Sequence, residues 1–173
     1  RLIILPMPVV IPAETGEKLS RYVAEGGCLL TEGECDAYSI EGFYRYPGPD
    51  RPMADALGIR YIGRRELQKD SFRLELAGRE YKLKPGIYMT PLAQESARRE
   101  GDILARDDEG RILAARYRVG QGTVYALGTF AGIRYAEEAY DDFVDFVQDL
   151  AEVAGAGQEA ALRVTGQGPL QWR

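Results

Sequence analysis

Residues 2–30 read LIILPMPVVIPAETGEKLSRYVAEGGCLL, and the changes of texture along that stretch decide the fold class. Leu2 to Leu5 is a short unbroken apolar run, the pattern of a strand covered on both faces in a parallel sheet. Pro12 suits a first helical turn, because its missing N–H would have had no intrahelical partner there. Thr15, Leu19, Tyr22 and Val23 then recur at helical spacing. Gly26 and Gly27 stop the helix, since glycine enters the left-handed conformation of a helix end without steric cost. Cys28-Leu29-Leu30 returns the chain to the sheet, which predicts a right-handed parallel crossover. Such a unit is half of a doubly wound α/β domain, met in its middle and without a start methionine.

Composition bounds what the rest can be. The 173 residues suffice for about one domain with a sizeable core, and 45% apolar and 28% charged residues are ordinary for a soluble globular protein. No run approaches ~18 consecutive apolar residues and no basic segment precedes a signal-like core, so a membrane partner is not expected and a cytoplasmic location is. The net charge of −5 argues against nucleic acid, and Arg64-Arg65 and Arg98-Arg99 are too short for a phosphate-binding patch. Two cysteines without any histidine give neither a zinc-ligand spacing nor a disulfide framework. No metal or cofactor is expected. Cys28, inside an apolar strand, reads as a small buried hydrophobe.

Outward from the opening unit, Glu32 to Asp50 is a long loop carrying Tyr38, Phe43, Tyr44 and Tyr46, and loops of that length are uncommon unless functional. Asp50 is placed to cap a short helix through Leu57, with Pro52 in its first turn and Gly58 at its end. Ile59 to Ile62 suggests a short strand. Phe72, Leu74 and Leu76 alternate with polar residues, Ala77-Gly78-Arg79 turns, and Tyr81 and Leu83 alternate again, which predicts a half-buried hairpin. A second hairpin joins Ile103–Arg106 to Ile112–Tyr117, and Gly120-Gln121-Gly122 turns into a strand from Thr123 to Leu127. After Gly128-Thr129 a loop leads to a helix with Tyr140, Phe143, Val144, Val147, Leu150, Ala151 and Ala154 on one stripe. Glu137, Glu138, Asp141 and Asp142 crowd its N-terminal end, where the helix dipole favours negative charge. Residues 155–160 have linker composition, and residues 161–173 start a new alternating segment.

The chemistry-bearing residues concentrate after the second strand. Glu32, Glu34 and Asp36 lie past the carboxyl end of a parallel strand, where ligands bind in open α/β sheets. In an extended segment their spacing would put all three on one face, suited to a hard cation or to paired carboxylate chemistry. The alternative is a solvated acidic loop, or partners for Arg45 and Arg51. Tyr38, Phe43, Tyr44, Arg45 and Tyr46 supply the residue types enriched in binding hot spots, or else an internally packed loop. Cys35 stands where a class I amidotransferase would carry its nucleophile, but that chemistry needs a general base and the chain has no histidine. No catalytic residue is assigned.

The order of parts resembles the trimerisation domain, domain B, of family 42 glycoside hydrolases, the β-galactosidases of that family. The matching stretches are Leu2 to Pro8, Lys18 to Gly27, Tyr46-Pro47-Gly48-Pro49, Ala56 to Arg60 and Gly120 to Thr129, and the resemblance covers residues 1 to about 154, with residues 60–115 matching in outline only. The resemblance implies a glutamine amidotransferase-like, flavodoxin-like fold: a mostly parallel sheet with helices on both faces, antiparallel hairpins, and a first β-α unit missing from this chain. It implies a homotrimer as partner, a TIM-barrel domain carrying the catalytic glutamates outside this chain, and a small β domain beginning after the linker at 155–160. It carries over no catalytic position. The expected function is thus non-catalytic trimerisation within a β-galactosidase-like glycoside hydrolase. The alternatives are a carbohydrate- or cation-binding module using the acidic and aromatic loop 32–46, or an amidotransferase-like enzyme using Cys35.

Overall fold

Successive residues of the central strands belong to opposite cores. Leu29, Val124 and Ala126 pack into one apolar cluster, while Leu30, Tyr125 and Leu127 pack into the other. A strand covered on both faces must lie inside a layered α/β domain. The computed structural model describes residues 1–45, 51–67, 70–96 and 102–155, and among these it shows that arrangement. Strands β1 (Leu2–Leu5), β2 (Cys28–Thr31), β5 (Ile103–Arg106), β6 (Ile112–Val119) and β7 (Gly122–Leu127) form one sheet in the order β1-β2-β7-β6-β5. The pairs β1·β2 and β2·β7 are parallel, whereas β7·β6 and β6·β5 are antiparallel. The sheet is therefore mixed, with its parallel half built by the opening β-α-β unit.

Helix α1 (Ala13–Ala24) makes the crossover from β1 to β2 and packs with α2 (Pro52–Ala56) on one face. Pro12 occupies the cap position, one residue before the first turn where its lack of a donor was expected to matter. Gly26 takes a φ of +108° at the helix end, as anticipated. The other face is covered by α4 (Asp141–Val153) and by the hairpin β3 (Phe72–Leu76) and β4 (Arg79–Leu83). Ala77 and Gly78 both have positive φ, which makes the two-residue link a type I′ turn matched to strand twist. The hairpin is tied to α4 by Arg79, which pairs with Asp145 and Asp149, by a short Tyr81–Asp149 hydrogen bond, and by Tyr81 edge-on to Phe146. Phe146 and Leu150 are fully buried beneath it, each contributing roughly 1.5–3 kcal/mol of transfer free energy.

Four expectations change. Strand β1 is only half-buried, with Ile4 37% exposed, because it forms an edge of the described sheet. Ile59–Ile62 forms no strand. Tyr61 makes one isolated bridge to Leu92, and the pairing stops at Pro91, which has no N–H to continue a ladder. The loop expected after Thr129 holds a helix, α3 (Ala131–Glu137), so Glu137 and Glu138 end that helix instead of starting α4. They pair with Arg134 and Lys84, and only Asp141 and Asp142 lie in the first turn of α4. Arg51, not Asp50, holds the cap position of α2. Asp50, Tyr46, most of the linker and all of residues 161–173 lie outside the described residues.

Candidate functional site

The carboxyl ends of β1, β2 and β7 converge on the turn Glu32-Gly33-Glu34-Cys35-Asp36. The segment is not extended: Glu34 and Asp36 have φ of +53° and +58°. The three carboxylates consequently leave the backbone in different directions, and all are about 1% exposed. Gly33 lets the turn sit against the end of β7. Its N–H donates to the Thr129 carbonyl at 3.0 Å, and a Cβ there would lie 2.9 Å from Thr90 Oγ1.

Each acid has its own work. Glu32 Oε1 accepts the Gly132 N–H at 2.5 Å, in the first turn of α3, and Oε2 accepts the Met7 N–H at 3.4 Å. A carboxylate at a helix N-terminus satisfies a donor that the helix cannot. Burial pushes the Glu32 carboxyl up to about 7, with the two amides only partly opposing it. Asp36 does the same for α2: Oδ2 accepts the Met53 N–H at 2.9 Å, while Oδ1 accepts from Arg45 at 2.8 Å. Burial raises its carboxyl against the pull of Met53, Arg45 and Arg51.

Glu34 is the hub. Arg64 grips it with two parallel bonds, Nε to Oε1 at 2.7 Å and Nη2 to Oε2 at 2.6 Å, the bidentate geometry that makes such pairs strong. The Tyr88 hydroxyl donates to Oε2 at 2.7 Å and the Tyr44 hydroxyl to Oε1 at 3.2 Å. Burial would raise this carboxyl, but the Arg64 and tyrosine bonds together with the Arg64 charge outweigh it and hold it below its usual value. The Arg64 guanidinium lies over the rings of Tyr88 (4.8 Å), Tyr44 (5.0 Å) and Tyr38 (5.9 Å), and Nη2 also donates to the Tyr38 hydroxyl. Cation–π contacts of this kind add to the fork without needing further charge.

Of the other residues singled out from sequence, Arg45 is drawn in to Asp36, and its carbonyl accepts from Arg51, whose guanidinium is buried between Tyr44 and Tyr61. Tyr38 bridges Val10 and Tyr44, so the loop is stitched to the segment after β1. Phe43 points outward, 73% exposed, beside the equally exposed Ile40. Cys35 is fully buried and its thiol is pushed up to about 12 by desolvation. A thiol so placed holds almost no thiolate at neutral pH and cannot serve as a nucleophile. Among the described residues no group of acidic or cysteine side chains converges in a metal-binding arrangement. The expected shared acidic face is replaced by separate braces.

Sequence reasoning missed Arg64, Tyr88 and Ile87. Arg64 and Tyr88 reach Glu34 from 30 and 54 residues downstream, Ile87 adjoins Tyr88 in the chain, and nothing local marks them. All the exposed large apolar side chains described, except Ile4 and Val153, lie on the segments that meet here: Met7, Val10, Ile40, Phe43, Tyr44, Ile62, Leu67 and Ile87.

Fold and site together define a mixed α/β domain whose carboxyl edge is internally cross-braced and outwardly apolar. The family model for the β-galactosidase trimerisation domain matches residues 1–154, and the chain belongs to that family. Solved structures with the same fold include Gan42B, a GH42 β-galactosidase from G. stearothermophilus, at 23% identity and a TM-score of 0.65, covering 89% of this chain and 21% of that one. A β-galactosidase from Rahnella sp. R3 matches at 19% identity and a TM-score of 0.69, covering 90% and 23%. One from Bacillus circulans sp. alkalophilus matches at 19% and 0.68, covering 90% and 23%. The chain thus spans about a fifth of the length of these structures. No curated protein matches the sequence. Among the described residues no helix is long and apolar enough to cross a membrane.

Proposed function

We propose that this chain is the self-association module of a larger β-galactosidase-like glycoside hydrolase, that its assembly is a trimer, and that catalysis belongs to a barrel domain outside the chain. The family to which it belongs is described by that assembly, and its structural relatives are β-galactosidases about four times its length. The observation that carries the reading is the gathering of exposed apolar side chains at one edge of the sheet, with Phe43 and Ile40 at its crest. Large apolar side chains exposed together on adjoining segments offer an interaction surface. Aromatic residues and arginine, present here as Phe43, Tyr44, Tyr38 and Arg64, are the types that dominate binding energy.

The test is the mass of the full chain in solution across a concentration series, with an Ile40→Ser, Phe43→Ser double variant beside it. Both side chains are exposed, so the variant keeps its fold. A mass three times the monomer's that falls in the variant supports the reading. Undiminished association in the variant removes this loop from the interface. A parent chain that stays monomeric removes the module reading itself. The carbohydrate- or cation-binding alternative loses its main support, because the carboxylates it would use already accept hydrogen bonds from Gly132, Met7, Arg64, Tyr88, Tyr44, Arg45 and Met53.

A further inference from the structure

We infer that Gly86-Ile87-Tyr88 is a strained strap that holds Ile87 outward as an anchor for a second copy of this chain, an inference that rests on the self-association reading. Ile87 is β-branched, has a φ of +56° and is 56% exposed. Neither property suits an isolated subunit. A β-branched side chain at positive φ crowds its own backbone, and such strain persists only where the surroundings over-determine the conformation. An isoleucine left in water also forgoes the burial that stabilises most of its kind.

The surroundings here do over-determine it. The buried Thr129 hydroxyl donates toward the Gly86 and Tyr88 carbonyls at 3.3 and 3.2 Å and accepts from the Gly86 N–H at 3.3 Å. Gly86 is pressed so close to the start of α3 that a Cβ would lie 2.4 Å from the Phe130 carbonyl oxygen. Tyr88 packs edge-on to Phe130 at 5.2 Å and donates to Glu34, and Met89 exchanges two backbone hydrogen bonds with Arg65. Both flanks of Ile87 are thus fixed, and its side chain cannot turn inward.

The strap is continuous with the proposed interface. Tyr88 and Tyr44 meet on the same carboxylate, with Arg64 stacked on both. Arg64 is 43% exposed and grips Glu34 through Nε and Nη2, so among the described residues its Nη1 is left to donate to an acceptor arriving beside Ile87. The fitting occupant is an apolar surface that carries a carboxylate or carbonyl. A second copy presents such a surface at Ile40-Glu41-Gly42-Phe43, where two exposed apolar side chains flank an exposed carboxylate. In a closed ring of three the contact is head-to-tail, so the strap faces a different patch of the next copy and need not match itself.

The experiment compares Ile87→Gly and Ile87→Thr with the parent in the full chain, reading sedimentation over a concentration series and the thermal midpoint at a concentration where all are dissociated. Glycine accepts positive φ, so the midpoint of Ile87→Gly holds or rises while self-association weakens about tenfold or more. Threonine keeps the strain and shortens the apolar tip, so it weakens association without raising the midpoint. Association equal to the parent's in both variants overturns the anchor while leaving the module reading intact. So does a midpoint that falls together with association in both, which would make Ile87 an ordinary packing residue. A parent that never associates overturns the module reading, and the anchor with it.

Discussion

Replacing Glu32 by glutamine should change how stability depends on pH more than it changes stability itself. Glu32 is 1% exposed, meets two backbone amides and, among the described residues, has no cationic partner, unlike Glu34 and Asp36 beside it. Burial raises its carboxyl from 4.5 to about 7. Below pH ~4.5 the group is protonated whether the chain is folded or not, and it contributes no pH dependence. Between ~4.5 and ~7 the folded chain keeps a proton that the unfolded chain has released, so stability falls as pH rises. One pH unit over that window is worth about 1.36 kcal/mol, and the whole window therefore removes about 3 kcal/mol. Glutamine has nearly the same shape but never ionises. Its NH2 must face either the Gly132 or the Met7 N–H, donor against donor, which costs about 1 kcal/mol at every pH. The variant is accordingly expected to be about 1 kcal/mol less stable than the parent at pH 4.5 and about 2 kcal/mol more stable at pH 8, with the two profiles crossing between. Urea unfolding of both proteins from pH 4.5 to 8.5 measures the difference directly. A difference that stays level with pH, or that moves in the parent's favour as pH rises, would refute the argument.

Arg64→Ala should cost about 2–4 kcal/mol at neutral pH, because it strands Glu34 in a buried place, and somewhat less than a wholly enclosed pair because Arg64 is partly exposed. The sign follows from the lowered Glu34 carboxyl: the stabilisation is present above the ordinary carboxylate range and disappears as pH falls through the folded value, so parent and variant should converge in acid unfolding titrations. Gly132→Ala brings a Cβ to 2.9 Å from Glu32 Oε1 and should loosen the hold on α3 at a cost of about 1–3 kcal/mol. A lower thermal midpoint, with faster amide exchange in residues 131–137, is the expected readout. Cys35 and Cys28 are buried free thiols, each shifted upward by desolvation, so neither should react with a thiol reagent at pH 8 until the chain is unfolded. Rapid native labelling of Cys35 would contradict the packing around the turn.

The parts of the fold that were legible in sequence are those stabilised by their own periodicity. The β1-α1-β2 unit, the β3–β4 hairpin and α4 each bury a face whose spacing is written in consecutive residues. What escaped is what depends on distant partners. Helix α3 carries no capping residue of its own and makes no side-chain cap bond at Phe130; its cap is Glu32, one hundred residues upstream. Helix α2 likewise takes its cap from Asp36, 17 residues before, while Arg51 in the local cap position supplies none. A reading that looks for a cap next to each helix cannot find either. Of the stripe read on α4, Tyr140, Phe143, Val147, Leu150 and Ala154 pack in the core, while its most enclosed aromatic, Phe146, lies outside that stripe and packs edge-on to Tyr81 of the hairpin.

The acidic turn shows the same limit from the side of function. Alternate spacing at Glu32, Glu34 and Asp36 promised a shared face only if the backbone were extended, and two positive φ values in the turn break that condition. Once the face is broken, each carboxylate is left to find its own donors, and most of those donors lie on segments that also carry exposed apolar side chains. Glu32 ties down Met7, Glu34 ties the segment bearing Arg64 and Leu67 to Tyr44 and Tyr88, and Asp36 ties Arg45 and the start of α2. Buried charge is an expensive way to hold loops, since hydrophobic replacement of an ion pair is often neutral or stabilising. What charge gives instead is direction: a bidentate fork and a capped amide fix orientation where apolar packing would let loops slide. A surface that must meet another subunit in one register has use for that, which links the hidden acids to the outward set of Phe43, Ile40 and Ile87. The Glu32 titration then becomes informative about assembly as well as folding: if the braces set the surface, Glu32→Gln should weaken the pH dependence of self-association near neutrality along with that of stability.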